Sequence, residues 1–519
     1  VTGERPPSPP SPRDLARWQK AQQDLLKGRA EPALATYHDL LKKYPDTHEL
    51  WFELGLAAGK ELDFDLADRA FQRTAELTPG NVSMRILLGQ QYHLLRRMDR
   101  ARACFESAAA LAPDSIPAQL SLASWYERER RLADAWACIE ACCERHPRDA
   151  QVRCFRAQLL HRQKKNVDAE KVLRELIQET IADPNVRYAI RHQLAVVLDD
   201  LGQHAEAMRW LIEAKTILRS TTNIARLEQL YDQADRRRRN LLAELKPENI
   251  RRWRNEASGR AFPHSLAFLG GHPRSGTTLL EQILGAHPDI TAFDEPMAFT
   301  QEILDPLAPL EGAATLTLNM LDQLNPARQV RFQQRYLKNL LRENPAWSGA
   351  GILLEKNPSH TASIHLWLRI FPAVKVIIAL RDPRDVVVSC FFQNLQVNAT
   401  NANFLSLERT AKHYADLMDV WLRLRELGGF DWLESRYEDV VTGMETEGRR
   451  VTNFLGLDWH PQQAKFHEAA RKKSVFAPTY DEVTRPVHQR AVNRWQQYAT
   501  TLEPLQKKLA AYCRAFGYE

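Results

Sequence analysis

With 519 residues the chain is too long for one hydrophobic core and implies two or more domains. Its 26% charged and 44% apolar residues are ordinary for a globular protein, and a net charge of +6 favours anionic ligands without implying nucleic-acid binding. No apolar run reaches the roughly 20 residues a bilayer demands, which argues against a transmembrane helix.

Residues 1–13 are rich in Pro and Ser and are expected to be disordered. A repeat follows over residues 14–220. Pro45, Pro79, Pro113 and Pro147 recur every 34 residues, as do Ala33, Ala67, Ala101, Ala135 and Ala169. Four positions after each alanine stands a bulky residue: Tyr37, Phe71, Phe105, Ile139 and Leu173. Leu54-Gly55 and Leu88-Gly89 share the interval, and a lengthened unit runs from Leu194-Ala195 to Leu211. The small residue lets two helices approach, the bulky one fills the groove beside it, and the proline ends the second helix. The pattern resembles the tetratricopeptide repeat, whose stacked helix pairs form an all-α solenoid able to hold an extended partner.

Residues 221–262 stay helical and become basic, with Arg236 to Arg239 and Arg251-Arg252-Trp253-Arg254. They read as a solvated capping helix and connector, or as an electrostatic guide for an anionic acceptor. The seven cysteines, Cys104, Cys138, Cys142, Cys143, Cys154, Cys390 and Cys513, are an odd set without zinc-type spacing. They read as free thiols of a reducing, cytoplasmic compartment, although a start at Val1 rather than Met leaves a removed signal segment open.

Residues 263–519 carry a β-α-β pattern. The stretch Ser265 to Leu284 reads as strand, Gly-rich loop and helix, an arrangement that aims backbone N–H groups and a helix N-terminus at a phosphate. Gly271 and Gly276 have the spacing of the Walker A loop, but Thr277 stands in place of its lysine and the nearest cation is Arg274. Such a loop suits a phosphate ester other than a Mg-triphosphate. Further strands are expected at residues 289–293, 351–355, 375–380 and 430–434, giving a mostly parallel sheet with ligands at its carboxyl edge. That edge would collect the loop, Asp294-Glu295, Lys356, Arg381 with Arg384, and Arg436-Tyr437.

Pro273-Arg-Ser-Gly-Thr-Thr278 resembles the 5′-phosphosulfate loop of sulfotransferases, and Leu380-Arg-Asp-Pro-Arg-Asp-Val-Val-Val-Ser389 resembles their 3′-phosphate motif. Residues 265–495 resemble tyrosylprotein sulfotransferases and bacterial proteins fusing tetratricopeptide repeats to such a domain. The fold this implies is a solenoid followed by a P-loop-like α/β domain. The implied donor is 3′-phosphoadenosine-5′-phosphosulfate, used without a metal and leaving adenosine 3′,5′-bisphosphate.

By the same resemblance, Arg274, Ser275, Gly276, Thr277 and Thr278 would hold the 5′-phosphosulfate, Arg381 and Ser389 the 3′-phosphate, and Tyr437 the nucleotide. Arg494 would close a late loop over the donor. Glu295 aligns with the general base, Lys356 with the lysine that steadies the transferring group, and Thr479 with an assisting hydroxyl. Asp294, His272 and His360 read as structural neighbours.

Two departures bear on specificity. Gln393 stands where tyrosylprotein enzymes carry a second 3′-phosphate arginine, and Met297 and Gln301 replace the basic residues that hold an acidic peptide. The acceptor therefore stays open between a protein tyrosine, a glycan and a small molecule. The solenoid could hold a protein acceptor or mediate a homodimer. Two rival functions are a kinase or other nucleotide triphosphatase, which the missing lysine disfavours, and a non-catalytic repeat scaffold with a relic nucleotide site, which an intact Glu295 and Lys356 disfavour.

Overall fold

The 34-residue spacing becomes helix pairs. In the computed structural model, residues 10–518 are described except 27–28, 257–261, 263, 309–315, 345–346, 348 and 472–481. They divide into two compact units, Val1–Ile181 and Ala182–Glu519.

The first unit is a run of antiparallel helix pairs, for example His48–Lys60 with Phe64–Leu77 and Val82–Leu94 with Met98–Leu111. Ala33, Ala67, Ala101, Ala135 and Ala169 are fully buried on the second helix of each pair. The bulky residue sixteen positions beyond Gly55 explains why that position must be small: a Cβ on Gly55 would come within 2.3 Å of the Phe71 ring, and one on Gly89 within 2.7 Å of Phe105. Two units further on, alanine replaces glycine at Ala123 and Ala157, and the ring is replaced by Ile139 and Leu173. The turn within each pair places Leu62, Arg96, Arg130 and Lys164 at positive φ, between 53° and 63°.

The first helix, Pro12–Leu26, begins inside the stretch expected to be disordered. The Ser11 hydroxyl accepts the Asp14 N–H at 3.1 Å and Pro12 takes the first helical position, so this end is capped. Residues 1–9 lie outside the described residues.

The second unit opens with one more helix pair, Pro184–Asp200 and His204–Thr221, so the boundary between units falls one pair earlier than the sequence places the end of the array. The helices Ile224–Glu244 and Pro247–Glu256 follow. The basic run is not a solvated face throughout: Arg238 is largely buried and paired with Asp235, and Arg239 bridges Asp235 and Asp416.

Five parallel strands form the sheet of this unit: β1 (Ser265–Gly271), β2 (Ile290–Asp294), β3 (Ile352–Lys356), β4 (Lys375–Leu380) and β5 (Trp432–Arg436), in the order β2-β3-β1-β4-β5. Ala267 and Leu269 on one face pack with Ile283, Leu284, Leu354 and Ile377. Phe268 on the other face stacks on Trp367, which stacks in turn on Phe299 at 4.0 Å between centroids. Alternation along each strand produces these two cores, and helices cover both. The register brings Asp294 opposite Lys356, Gly271 opposite Ala379 and Leu380 opposite Arg436. The carboxyl ends of all five strands therefore meet at one edge. No described helix is long and apolar enough to cross a membrane.

Candidate active site at the carboxyl edge of the sheet

The loop after β1 is shaped by its glycines. A Cβ on Gly271 would lie 2.3 Å from the Ala379 carbonyl oxygen, and Gly276 adopts φ 88° with the Tyr437 ring 2.6 Å from where its Cβ would be. Gly276 caps the Thr277–Leu284 helix and has no side chain to satisfy its first N–H groups. Those donors point into the edge of the sheet, with Ser275, Thr277 and Thr278 buried around them. Arg274 sits in the same loop at φ 74°, an unusual conformation for a residue with a side chain.

Cations collect beside the loop. Arg274 Nε donates to Ser389 Oγ at 3.0 Å, and Arg381 Nη1 donates to the Arg274 carbonyl at 3.1 Å. Arg381 also stacks on Tyr437, with 5.0 Å between guanidinium and ring centroid. Removal from water, joined by the nearby Arg381 and Arg494 charges, pulls the Arg274 guanidinium down to about 10, so it remains charged at neutral pH. The buried Arg381 Nε has no hydrogen-bond partner, and an anion would supply one. The loop N–H groups and this cluster make the edge suited to an anionic ligand.

Opposite the loop, Lys356 ends β3 and is fully buried. Its Nζ contacts Asp294 and donates to Glu295 Oε1 at 2.9 Å. Burial works against its charge, but Glu295, Asp294 and Glu281 more than offset this and hold the ammonium above its ordinary range. Glu295 continues the strand pairing by donating its N–H to the Lys356 carbonyl at 2.8 Å, takes φ 51°, and keeps its carboxylate half exposed. Glu295, Arg274, Thr277 and Thr278 line one cavity of about 360 Å³, together with Ser359, Gln393 and Thr400.

Other expected site residues fall differently. Arg384 does not face the cavity cluster: Asp382 takes it in a two-point ion pair, Nε to Oδ1 at 2.9 Å and Nη2 to Oδ2 at 2.6 Å, and its guanidinium lies on Trp495. The geometry of a fork meeting a carboxylate two residues away wins over phosphate binding. Thr479 lies outside the described residues. Arg494 is close enough to Arg274 to repel it, and is held by Asp199 of the helix Pro184–Asp200.

That helix pair supplies contacts that no local motif announces. Tyr188 OH donates to Asn394 Oδ1 at 2.8 Å, His192 Nε2 to the Phe392 carbonyl at 3.0 Å, and Lys215 Nζ to the Gln393 carbonyl at 2.6 Å. Lys215 is buried, which pulls it down to about 8, and it lies near Cys390 together with Arg274 and Arg381. Gln393, which stands where a second arginine was expected, thus has a lysine on its main chain.

Comparison with known proteins agrees with this arrangement. Residues 267–461 match the model of the sulfotransferase family, and residues 14–47, 54–116 and 120–185 match models of the tetratricopeptide repeat. Among curated proteins, the chain is similar to protein-tyrosine sulfotransferase 1 of Danio rerio, 25% identical over 243 residues that cover 44% of this chain and 65% of the relative. It is also similar to protein-tyrosine sulfotransferase A of Caenorhabditis elegans, 26% identical over 234 residues covering 44% and 60%. A protein of Aquifex aeolicus (strain VF5) is 25% identical over 347 residues, covering 64% of this chain and 43% of the relative. The chain therefore spans less than two thirds of the length of each of these relatives. Among solved structures, the sulfotransferase domain from the Synechococcus PCC 7002 olefin synthase aligns with TM-score 0.33 and 22% identity, covering 50% of this chain and 96% of that one. The chain carries tetratricopeptide repeats followed by a sulfotransferase-family domain.

Proposed function

We propose that the protein transfers the sulfuryl group of 3′-phosphoadenosine-5′-phosphosulfate to an acceptor hydroxyl. The observation that carries this reading is a shared cavity lined both by Arg274, Thr277 and Thr278 of the loop and by Glu295.

In this reading the loop N–H groups and Arg274 hold the 5′-phosphosulfate, while Arg381 and Ser389 hold the 3′-phosphate beside Tyr437 and Arg494. The donor supplies a sulfur bonded to a good phosphate leaving group. Glu295 takes the proton of the acceptor hydroxyl as the acceptor oxygen bonds to sulfur. The bond from sulfur to the bridging oxygen breaks with its electron pair left on the phosphate, giving adenosine 3′,5′-bisphosphate and a sulfate ester. Lys356 has two N–H groups engaged by Asp294 and Glu295, which leaves one to stabilise charge on the transferring group. Fixed cations and in-line placement supply most of the rate.

The names of the relatives make a protein tyrosine one acceptor class, with the repeats of residues 14–220 as holder of a protein acceptor or as a dimer surface. Titration with adenosine 3′,5′-bisphosphate tests the donor assignment. The wild-type chain should bind it at least about tenfold more tightly than Mg-ATP, and Arg274→Ala should lose at least about tenfold in affinity. Equal affinity for Mg-ATP, or no change in Arg274→Ala, would contradict it.

A further inference from the structure

Three side chains of the helix pair Pro184–Asp200 and His204–Thr221 hold one short stretch of the sheet domain. Tyr188 bonds to the Asn394 side chain, His192 to the Phe392 carbonyl and Lys215 to the Gln393 carbonyl. That stretch directly follows the helix Pro383–Phe391, which carries Ser389 and Cys390. Gln393 and Cys390 both line the cavity shared by Arg274, Thr277, Thr278 and Glu295.

Of the three, Lys215 carries a charge that nothing balances. It is 2% exposed, and its Nζ donates at 2.6 Å to a carbonyl rather than to a carboxylate. The elements packed on its helix offer no anion. On Pro184–Asp200, His192 faces it and stays neutral, while Asp199 is taken by Arg494 and Tyr498 of the turn Arg494–Tyr498. On Pro383–Phe391 it meets Cys390, whose thiol is pushed up by burial to about 12. The turn Asn401–Leu405 has no titratable residue. An ammonium taken out of water without a counter-ion is costly.

Cys390 is where that charge meets the site. Lys215, Arg274 and Arg381 all act on its thiol, and its Sγ lies 3.5 Å from the Pro273 carbonyl of the loop. Among the described residues, Asp385, 3.7 Å from Arg381, is the only carboxylate paired with any of these three cations. We infer that Lys215 is a positioning residue of the donor site: it holds Phe392–Asn394 from behind, and the anion bound by Arg274, Arg381 and Ser389 is the counter-ion its ammonium lacks. The chain thereby places a cation behind Gln393, a neutral residue of the cavity wall, rather than on the wall itself. The inference rests on the sulfuryl-transfer reading, in which that anion is the 3′-phosphate of the nucleotide.

A role in charge, beyond one in packing, has its own signature. Burial pulls Lys215 down to about 8 before a ligand arrives, and a phosphate dianion close by raises it again. Binding therefore takes up a proton, so affinity is full below about 8 and falls as pH rises through that value. The phosphate itself titrates lower, at roughly 6. Arg274 titrates higher, at about 10, which leaves the window between neutral pH and pH 9 to Lys215.

The test is calorimetric titration of the full chain with adenosine 3′,5′-bisphosphate at pH 7, 8 and 9. Wild type should lose at least about fivefold in affinity from pH 7 to pH 9. At pH 8 it should take up about half a proton, read from the heats in two buffers of unlike ionisation enthalpy. Lys215→Met, which keeps the length of the side chain, should bind at least about fivefold more weakly at pH 7, with an affinity then flat to pH 9 and no proton taken up. Equal wild-type affinity at pH 7 and pH 9 without proton uptake, or a Lys215→Met chain that keeps the wild-type pH dependence, would overturn the inference and leave the donor assignment standing. Failure of the wild-type chain to bind the nucleotide at pH 7 would instead remove the sulfuryl-transfer reading on which it depends.

Discussion

Asp199 and Arg494, 295 residues apart, form an ion pair, and the same carboxylate accepts the Tyr498 hydroxyl and lies 3.2 Å from His204 Nδ1. Arg494 also stacks on Phe392. The arginine expected to close over the donor is therefore aimed from the last helix pair of the repeat pattern. Its rotamer is set before a ligand arrives, which lowers the cost of ordering it.

Asp199→Asn should weaken binding of adenosine 3′,5′-bisphosphate by about three- to tenfold, since the amide holds Arg494 less firmly. Arg494→Ala should do the same, and the double variant should lose no more than either alone. Calorimetric titration of the four proteins reads this directly; additive losses would mean that Asp199 does not act through Arg494.

Acid should destabilise the second unit early. Burial pulls His192 down to about 4, and likewise His272, while the free imidazole titrates near 6.5. Between these values the unfolded chain takes up a proton at His192 that the folded chain refuses, so stability is present above 6.5 and falls as pH drops toward 4. For His192 the loss is on the order of 3 kcal/mol across that window. Urea unfolding at pH 7.5 and pH 5 should show a smaller difference for His192→Gln than for wild type, because glutamine can still donate to Phe392 without titrating.

The repeat turns carry a correctable strain. Arg96 and Arg130 hold positive φ, while the matching turn of the last pair uses Gly202 at 78°. Arg130→Gly should raise stability of the repeat unit by about 1 kcal/mol, because the left-handed conformation costs a side chain and not glycine. The midpoint of thermal unfolding followed by helical circular dichroism would report the gain, and a lower midpoint would show that the turn is not strained.

Packing in the repeats gives a second, independent check. Gly55→Ala should destabilise by about 1–3 kcal/mol through its contact with Phe71. In a Phe71→Ile background the same change should cost much less, reproducing the Ala123 and Ile139 pair found two repeats later. Urea denaturation of the single and double variants separates the two cases.

What could be read from the sequence is what lies close together in it. The Gly271 to Thr278 loop and the strand positions, each within two residues of those observed, follow from short local patterns, and the repeat alanines follow from their 34-residue recurrence. The place of Glu295 and Lys356 at the sheet edge is legible because Lys356 ends β3, Glu295 directly follows β2 and strand ends converge, while their roles come from the resemblance. The places of Asp199 and Lys215 are not, since their partners Arg494 and Gln393 are distant in the chain and neither sits in a motif. Arg384 shows the opposite: the sequence offers it either a phosphate or an ion pair with Asp382 or Asp385 and favours the phosphate, whereas in the fold Asp382 takes its guanidinium. The buried part of the basic helix followed the same logic, with Asp235 on its own surface and Asp416 far along the chain neutralising a run that reads as solvated.

The measurement closest to the central claim is transfer of label from sulfur-labelled 3′-phosphoadenosine-5′-phosphosulfate by wild type and Glu295→Gln, with nucleotide binding measured on the same samples. Label should leave the donor for an acceptor only with wild type, while Glu295→Gln binds adenosine 3′,5′-bisphosphate within about twofold and loses at least about a hundredfold in rate. Equal transfer by the variant would remove Glu295 as the base, and no transfer by wild type to any hydroxyl acceptor despite tight nucleotide binding would contradict sulfuryl transfer itself.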